Sequence, residues 1–167
     1  MAELTSQERL QPSLLDRLTD DAPEAKEEGR DKRVLGLSQL RQSVLRDVAW
    51  LLNTVHLQAS QNLEEWAEVA SSTVNYGIPD LAGTSVVGRN TQALERAVRQ
   101  AVLNFEPRIL PDTVKVSVRI DPEQMTRHAM SFIIEGHLWA QPVPLSLYLK
   151  TELDLETGSV TVAESSR

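Results

Sequence analysis

A chain of 167 residues, 41 % of them hydrophobic, has room for one domain with a real core and a tail, and not for two domains. Its 17 Lys and Arg residues are scattered among 24 Asp and Glu, for a net charge of -7, which leaves no footprint for a phosphate backbone and sets nucleic acid aside. Cysteine is absent, excluding disulfides, thiolate catalysis and Cys-ligated zinc and pointing to a reducing, cytoplasmic setting.

The opening "MAELTSQERLQPSLLDRL" lacks the basic-then-apolar pattern of a signal peptide, and no apolar run reaches membrane-spanning length. The expectation is a protein that serves any membrane-associated machine from the soluble side. Within this segment Leu14, Leu15 and Leu18 fall at helical spacing, enough for a short docking turn; a frayed terminus is the plainer alternative. Residues 19–33, "TDDAPEAKEEGRDKR", carry no large apolar side chain and cannot offset the entropy of ordering, so they read as a flexible linker. The chain thus divides into a docking segment (1–18), a linker (19–33) and one folded domain (34–167).

That domain opens with a helix in which Leu37, Leu40, Val44, Val48, Leu51, Leu52 and Val55 keep three-and-four spacing, Arg41, Arg46 and Asp47 lie on other faces, and Ser38 is a candidate N-cap. A shorter helix is expected in "NLEEWAEVA", where Leu63, Trp66, Val69 and Ala70 line up. "SSTVNYGIPDLAG" (71–83) mixes apolar residues with Asn75, Gly77, Pro79 and Gly83, the chemistry of an ordered connector with buried anchors. The next helix starts near Asn90 or Thr91 and buries Leu94, Val98, Ala101, Val102 and Phe105. Pro107 ends it, because proline lacks the amide donor and disfavours helical geometry at Glu106.

After Pro111 the periodicity drops to two. Val114, Val116, Val118 and Ile120 alternate with polar residues, as do Met130, Phe132, Ile134 and Leu138, then Leu145, Leu147, Leu149, Leu153 and Leu155. "DPEQMTR", "QPVP" and "ETGS" supply the connections, the last leading into a short strand, "VTV". Helices first and strands after predict an α+β domain, with helices on one face of an antiparallel meander of three to four strands.

Candidate chemistry is sparse. No phosphate loop or nucleophile elbow occurs, and His56, His128 and His137 are too dispersed for joint metal ligation, so neither metal nor cofactor is expected. The enzyme reading with most substance is glycoside hydrolysis by Glu106 and Asp112, which needs one carboxyl held protonated. Arg108, two residues from Glu106, favours the charged form instead, and only seven residues are Trp, Tyr or Phe, too few for an aromatic sugar cleft. In an extended "E-P-R" segment the Glu106 and Arg108 side chains point the same way, which leaves two readings: a charged clasp for a partner, or an arginine satisfying carbonyls at the helix end.

"NFEPRI" after an amphipathic helix and before a strand meander resembles the EPR motif of the contractile-tail baseplate wedge family, the phage "gene twenty-five" proteins labelled lysozyme-like. Within that family, "PSLLDRL", "RQSVLRDVAWLLNT" (41–54) and "SSTVNYGIPDLAG" (71–83) are similar to the TssE-type subunits of the bacterial type VI secretion baseplate. The resemblance covers nearly the whole chain outside the linker.

It implies a structural part and no enzyme: a domain similar to the interlocking domain of sheath proteins, joining the wedge subunits TssF, TssG and TssK to the sheath proteins TssB and TssC. An open sheet edge would accept sheath strands and template polymerisation. Glu106, Pro107 and Arg108 match the family motif residue by residue and would face a neighbouring subunit. Tyr76, Pro79 and Asp80 match the connector, where a packed turn and partner contact both remain open, and Leu14, Leu15 and Leu18 would dock on another wedge subunit. A peptidoglycan hydrolase and a free cytoplasmic regulatory protein on the same fold stand as alternatives.

Overall fold

The N-terminal half is organised by one helix whose apolar stripe sets the core. The computed structural model describes residues 13–19, 23–24, 36–81, 91–119, 129–140 and 144–165; most of the linker at 19–33, Gly83, Asn90, Ile120, His128 and the first strand connection lie outside them. α1 is a single turn, Leu14–Leu18, and α2 runs Leu37–Leu52. Its cap corrects the expectation of Ser38: extended Gly36 precedes the first turn, and its N–H donates to Gln39 Oε1 at 3.0 Å. Gln39 thereby supplies the reaching-back half of a capping box, which needs no hydroxyl at the cap. Leu40, Val44, Val48, Leu51 and Leu52 are buried, whereas Leu37 and Val55, at the two ends of the stripe, are exposed.

The second expected helix shrinks to one turn, α3, Ala67–Ala70. Leu63 is buried ahead of it, but Trp66 is 61 % exposed, so the residues that lined up at helical spacing do not share a buried face. A four-residue helix lacks the hydrogen bonds to sustain itself, and tertiary contacts decide which of its side chains are covered.

The connector then returns to α2. Asn75 is buried, donating through Nδ2 to Ala70 O at 2.8 Å and accepting the Gln58 N–H at 2.9 Å. Ile78 forms a parallel bridge with Val55, its N–H donating to Thr54 O at 2.8 Å while its carbonyl accepts from His56 N at 3.0 Å. Gly77 between them has φ 128°, and a Cβ there would stand 2.3 Å from Thr54 O. Both the conformation and the close approach require glycine. α4, Thr91–Phe105, follows, with Leu94, Val98, Ala101 and Val102 buried and Phe105 packed partly exposed against the core.

Four antiparallel strands, β1 Lys115–Arg119, β2 Ala129–Leu138, β3 Leu145–Asp154 and β4 Val160–Glu164, form a meander in the order β1-β2-β3-β4. Met130, Phe132, Ile134 and Leu138 alternate inward on β2, and Leu147, Leu149, Thr151 and Leu153 on β3. Thr151 is tolerated there because its hydroxyl accepts the Phe132 N–H at 3.0 Å. α4 lies along β1 and α2 along β4, and the two helices meet over the sheet, giving the expected α+β layering.

The two sheet edges are treated differently. On β1, α4 reaches over the rim: Glu95 accepts the Val118 N–H at 2.9 Å and Arg99 donates to Val114 O at 3.0 Å. On β4, the bonds Asp154 N to Ser159 O and Ser165 N to Tyr148 O set the alternation, so Val160, Val162 and Glu164 turn their backbone groups outward. The Asn53 side-chain amide pairs with both groups of Val160, at 2.7 and 2.9 Å. Val162 and Glu164 have no outward backbone hydrogen bond among the described residues.

Replacing Gly77 with alanine is expected to destabilise the domain by roughly 2 kcal/mol or more, measured by urea unfolding; wild-type stability in that variant would show that the Thr54–His56 approach is not needed.

Candidate functional site

The end of α4 places the motif. Glu106 N–H closes the last turn on Val102 O at 2.9 Å, Pro107 and Arg108 turn, and Ile109 is buried in an antiparallel bridge with Leu138. Arg108 O accepts from Trp139 N and Leu110 N donates to His137 O, both at 2.8 Å, so the motif's backbone is pinned to the end of β2. Gly136 leaves room for it: a Cβ there would meet Ile109 Cγ2 at 2.8 Å.

The two charged side chains do point the same way, but inward. Glu106 is only 3 % exposed, and Arg108 grips it through Nε to Oε1 at 2.6 Å and Nη2 to Oε2 at 2.5 Å. The same guanidinium reaches α2, with Nη2 on Asp47 Oδ2 at 2.6 Å and Nη1 on Ser43 Oγ at 3.1 Å. The expectation that Glu106 faces a neighbouring subunit is thereby corrected: Pro107 ends the helix in a turn that folds the carboxylate back under the arginine. Arg108 does not satisfy helix carbonyls either; it bonds carboxylates.

This is a charge-assisted clamp between two helices. Burial works against the charge on Arg108, and the Glu106 and Asp47 carboxylates outweigh it, raising its pKa above the ordinary arginine value. Both Glu106 oxygens are held by the guanidinium, and Asp112 is exposed in the Pro111–Thr113 turn. Among the described residues no group of three or more His, Asp or Glu could hold a metal.

The charge chain continues outward. Arg46 pairs with Asp47 Oδ1 at 2.8 Å, packs over the Trp50 ring at 5.1 Å, and donates through Nη1 to Asp16 Oδ1 at 2.5 Å. Asp16 belongs to α1 and also accepts from Ser13 Oγ at 2.7 Å. The leucine segment and the EPR motif, far apart in sequence, therefore share one site. Between them lies a groove of about 540 Å³ lined by Leu15 of α1, Trp50 and Leu51 of α2, Tyr76, Phe105 and Pro107, with Ser13, Asp47, Glu106 and Arg108 at its polar positions.

Tyr76 stands in this groove, its ring edge-on to Phe105 at 5.2 Å and its hydroxyl donating to Asp47 O at 3.4 Å. Burial first, then the Asp47 and Glu106 charges, push its pKa up. Pro79 is half-buried and Asp80 exposed further along the connector, and neither lines the groove. Leu14 and Leu18 are 71 % and 75 % exposed and Leu15 is 43 % exposed, so α1 docks by its polar side and shows its leucines to solvent.

Sequence reasoning missed Ser43, Arg46, Asp47 and Trp50 as site residues. Their signal was positional: Ser43–Asp47 and Arg46–Trp50 are i, i+4 pairs flanking the buried stripe of α2.

Arg108→Ala is expected to cost on the order of 3 kcal/mol in equilibrium unfolding, because it strands a buried carboxylate, and Glu106→Gln in the same chain should recover part of that loss. Equal stability of the single and double variants would remove the clamp. The Arg46 hydrogen bond holds the Asp16 carboxyl below its ordinary value, against burial and with help from Ser13. A lowered folded value makes the docking of α1 complete above the ordinary carboxylate pKa of about 4 and lost as pH falls below it. Amide resonances of residues 15–19 should report that transition, and Asp16→Asn should abolish it.

The family model described as "Baseplate wedge protein gp25" matches residues 38–143, which span α2, the connector, α4, the EPR motif and the first two strands. No curated protein and no solved structure matches the chain. Because the family match takes in more than half of the sequence and includes the clamp, the chain belongs to the baseplate wedge protein gp25 family.

Proposed function

We propose that this protein is a structural, non-enzymatic subunit of a type VI secretion baseplate, of the TssE type, which couples the wedge to the contractile sheath. In this reading it works in the cytoplasm, recruited to a baseplate docked at the inner membrane, and contacts TssF, TssG and TssK on one side and TssB and TssC on the other. Its sheet serves as the counterpart of the sheath interlocking domain.

The observation that carries the reading is the open stretch of the β4 edge. Glu95 and Arg99 of α4 meet β1 at Val118 and Val114, Asn53 of α2 meets β4 at Val160, and beyond Val160 the outward backbone groups of Val162 and Glu164 have no hydrogen bond among the described residues. An unpaired edge is a template for another strand, which binds through main-chain hydrogen bonds and takes its register from alternating side chains. The proposed acceptor is β4. Asn53 limits the added strand at Val160, and Arg41, paired with Glu164 at 3.0 Å, marks the other end. The EPR motif contributes by locking α4 to α2 and β2, which keeps the groove-side surface rigid for wedge contacts.

Proline tests the edge directly, because it deletes an N–H. Val162→Pro removes a donor that faces away from β3, so the variant should fold yet fail to seed sheath assembly in a reconstituted system. Val116→Pro, at an outward position of β1, should assemble normally. Sheath growth from the Val162 variant, or its loss in the Val116 variant alone, would discard β4 as the acceptor. Purified protein is expected to release no product from peptidoglycan under conditions in which lysozyme does.

A further inference from the structure

α1 is held in an unusual way. A short helix normally docks by burying its apolar side, yet none of its residues is buried, and its attachments are the Asp16–Arg46 ion pair and the edge of the groove at Ser13 and Leu15. The ion pair is partly buried, but the five-residue helix it holds has little stability of its own. The contact is therefore readily exchanged.

What α1 occupies is better defined than α1 itself. Arg46 lies over Trp50 with its guanidinium between Asp16 and Asp47, and the floor beside it is apolar. Without α1, Arg46 keeps only Asp47, so the vacated seat presents a guanidinium that can take a second carboxylate. Asp47 is shared by both arginines, which couples occupancy of the Arg46 seat to the clamp at Arg108.

We propose that the face formed by Arg46, Trp50 and the adjoining groove is a binding site for a protein helix carrying an acidic residue between leucine-type side chains, and that α1 holds this site in cis as a displaceable latch. The chemistry of the partner is read from the segment already there, in which Asp16 meets Arg46 and lies between Leu15, at the groove edge, and Leu18. A partner helix that turns its leucines into the groove buries apolar area that α1 leaves in water, and thereby outcompetes it. On release, α1 stays tethered to the domain, close to the site it leaves.

This inference rests on the reading of the groove side as a partner surface, but not on strand addition. The test uses the full-length protein and a fluorescent synthetic peptide spanning residues 10–20 as probe. Asp16→Asn, which unlatches α1, is expected to bind the peptide at least tenfold more tightly than wild type, and adding Arg46→Gln should remove that binding. A peptide carrying the Asp16→Asn change should bind at least tenfold more weakly than the unaltered one. Equal affinity in wild type and Asp16→Asn, no binding by Asp16→Asn, or binding that survives Arg46→Gln would each overturn the latch. No sheath component is present in this assay, so its outcome is separate from that of the Val162→Pro experiment.

Discussion

The guanidinium of Arg108 is the point at which the layers of this domain are tied together. It pairs with buried Glu106 at the end of α4 and reaches Asp47 and Ser43 on α2, while the backbone carbonyl of the same residue accepts from Trp139 N just past β2. A buried carboxylate is tolerated only when its charge is met by good geometry and further hydrogen bonds, and a planar fork of donors meets it on two oxygens at once. A lysine, a point charge without that fork, could not serve Glu106, Asp47 and Ser43 from one position. Pro107 is required for the same reason, since continued helix at Glu106 would carry the arginine away from α2.

From that tie outward, the site is graded from buried to exposed. Glu106 and Ile109 are buried, Asp47 and Tyr76 are partly covered, and Arg46, Trp50 and α1 are increasingly exposed. The residues matched by the family run from 38 to 143, so they contain the clamp and Arg46 but not Asp16 or β4. The clamp thus lies inside the matched region, while α1 and β4 lie outside it. Glu106, Pro107 and Arg108 act here as internal architecture, tying α4 to α2 and to the end of β2.

Each outer strand of the sheet is met by a helix at some positions and left open at others. α4 spends Glu95 and Arg99 on covering β1, although both are charged residues that helical surfaces normally leave in water. α2 does the corresponding work on β4 only at Val160, through Asn53. An exposed edge is a hazard for aggregation, and the open stretch of β4 is where the proposed coupling to a strand-donating partner would form.

Periodicity alone determined the class of this protein: the 3.6-residue stripes of α2 and α4, the two-residue alternation of β2 and β3, and the stop at Pro107 were all legible, because each depends on neighbours within a few positions of the chain. Glycine at position 77 marked a turn, and the absence of a phosphate loop or metal cluster limited the chemistry. Tertiary structure decided the rest. Whether Trp66 is covered, which way Glu106 points and which sheet edge stays open depend on side chains that approach from distant segments. Asp16 and Arg46 are 30 residues apart and Arg108 and Asp47 are 61 apart, and such pairings leave no local pattern to read. An ion pair has no periodicity in sequence; its energy depends on distance and burial, and only the folded chain sets those.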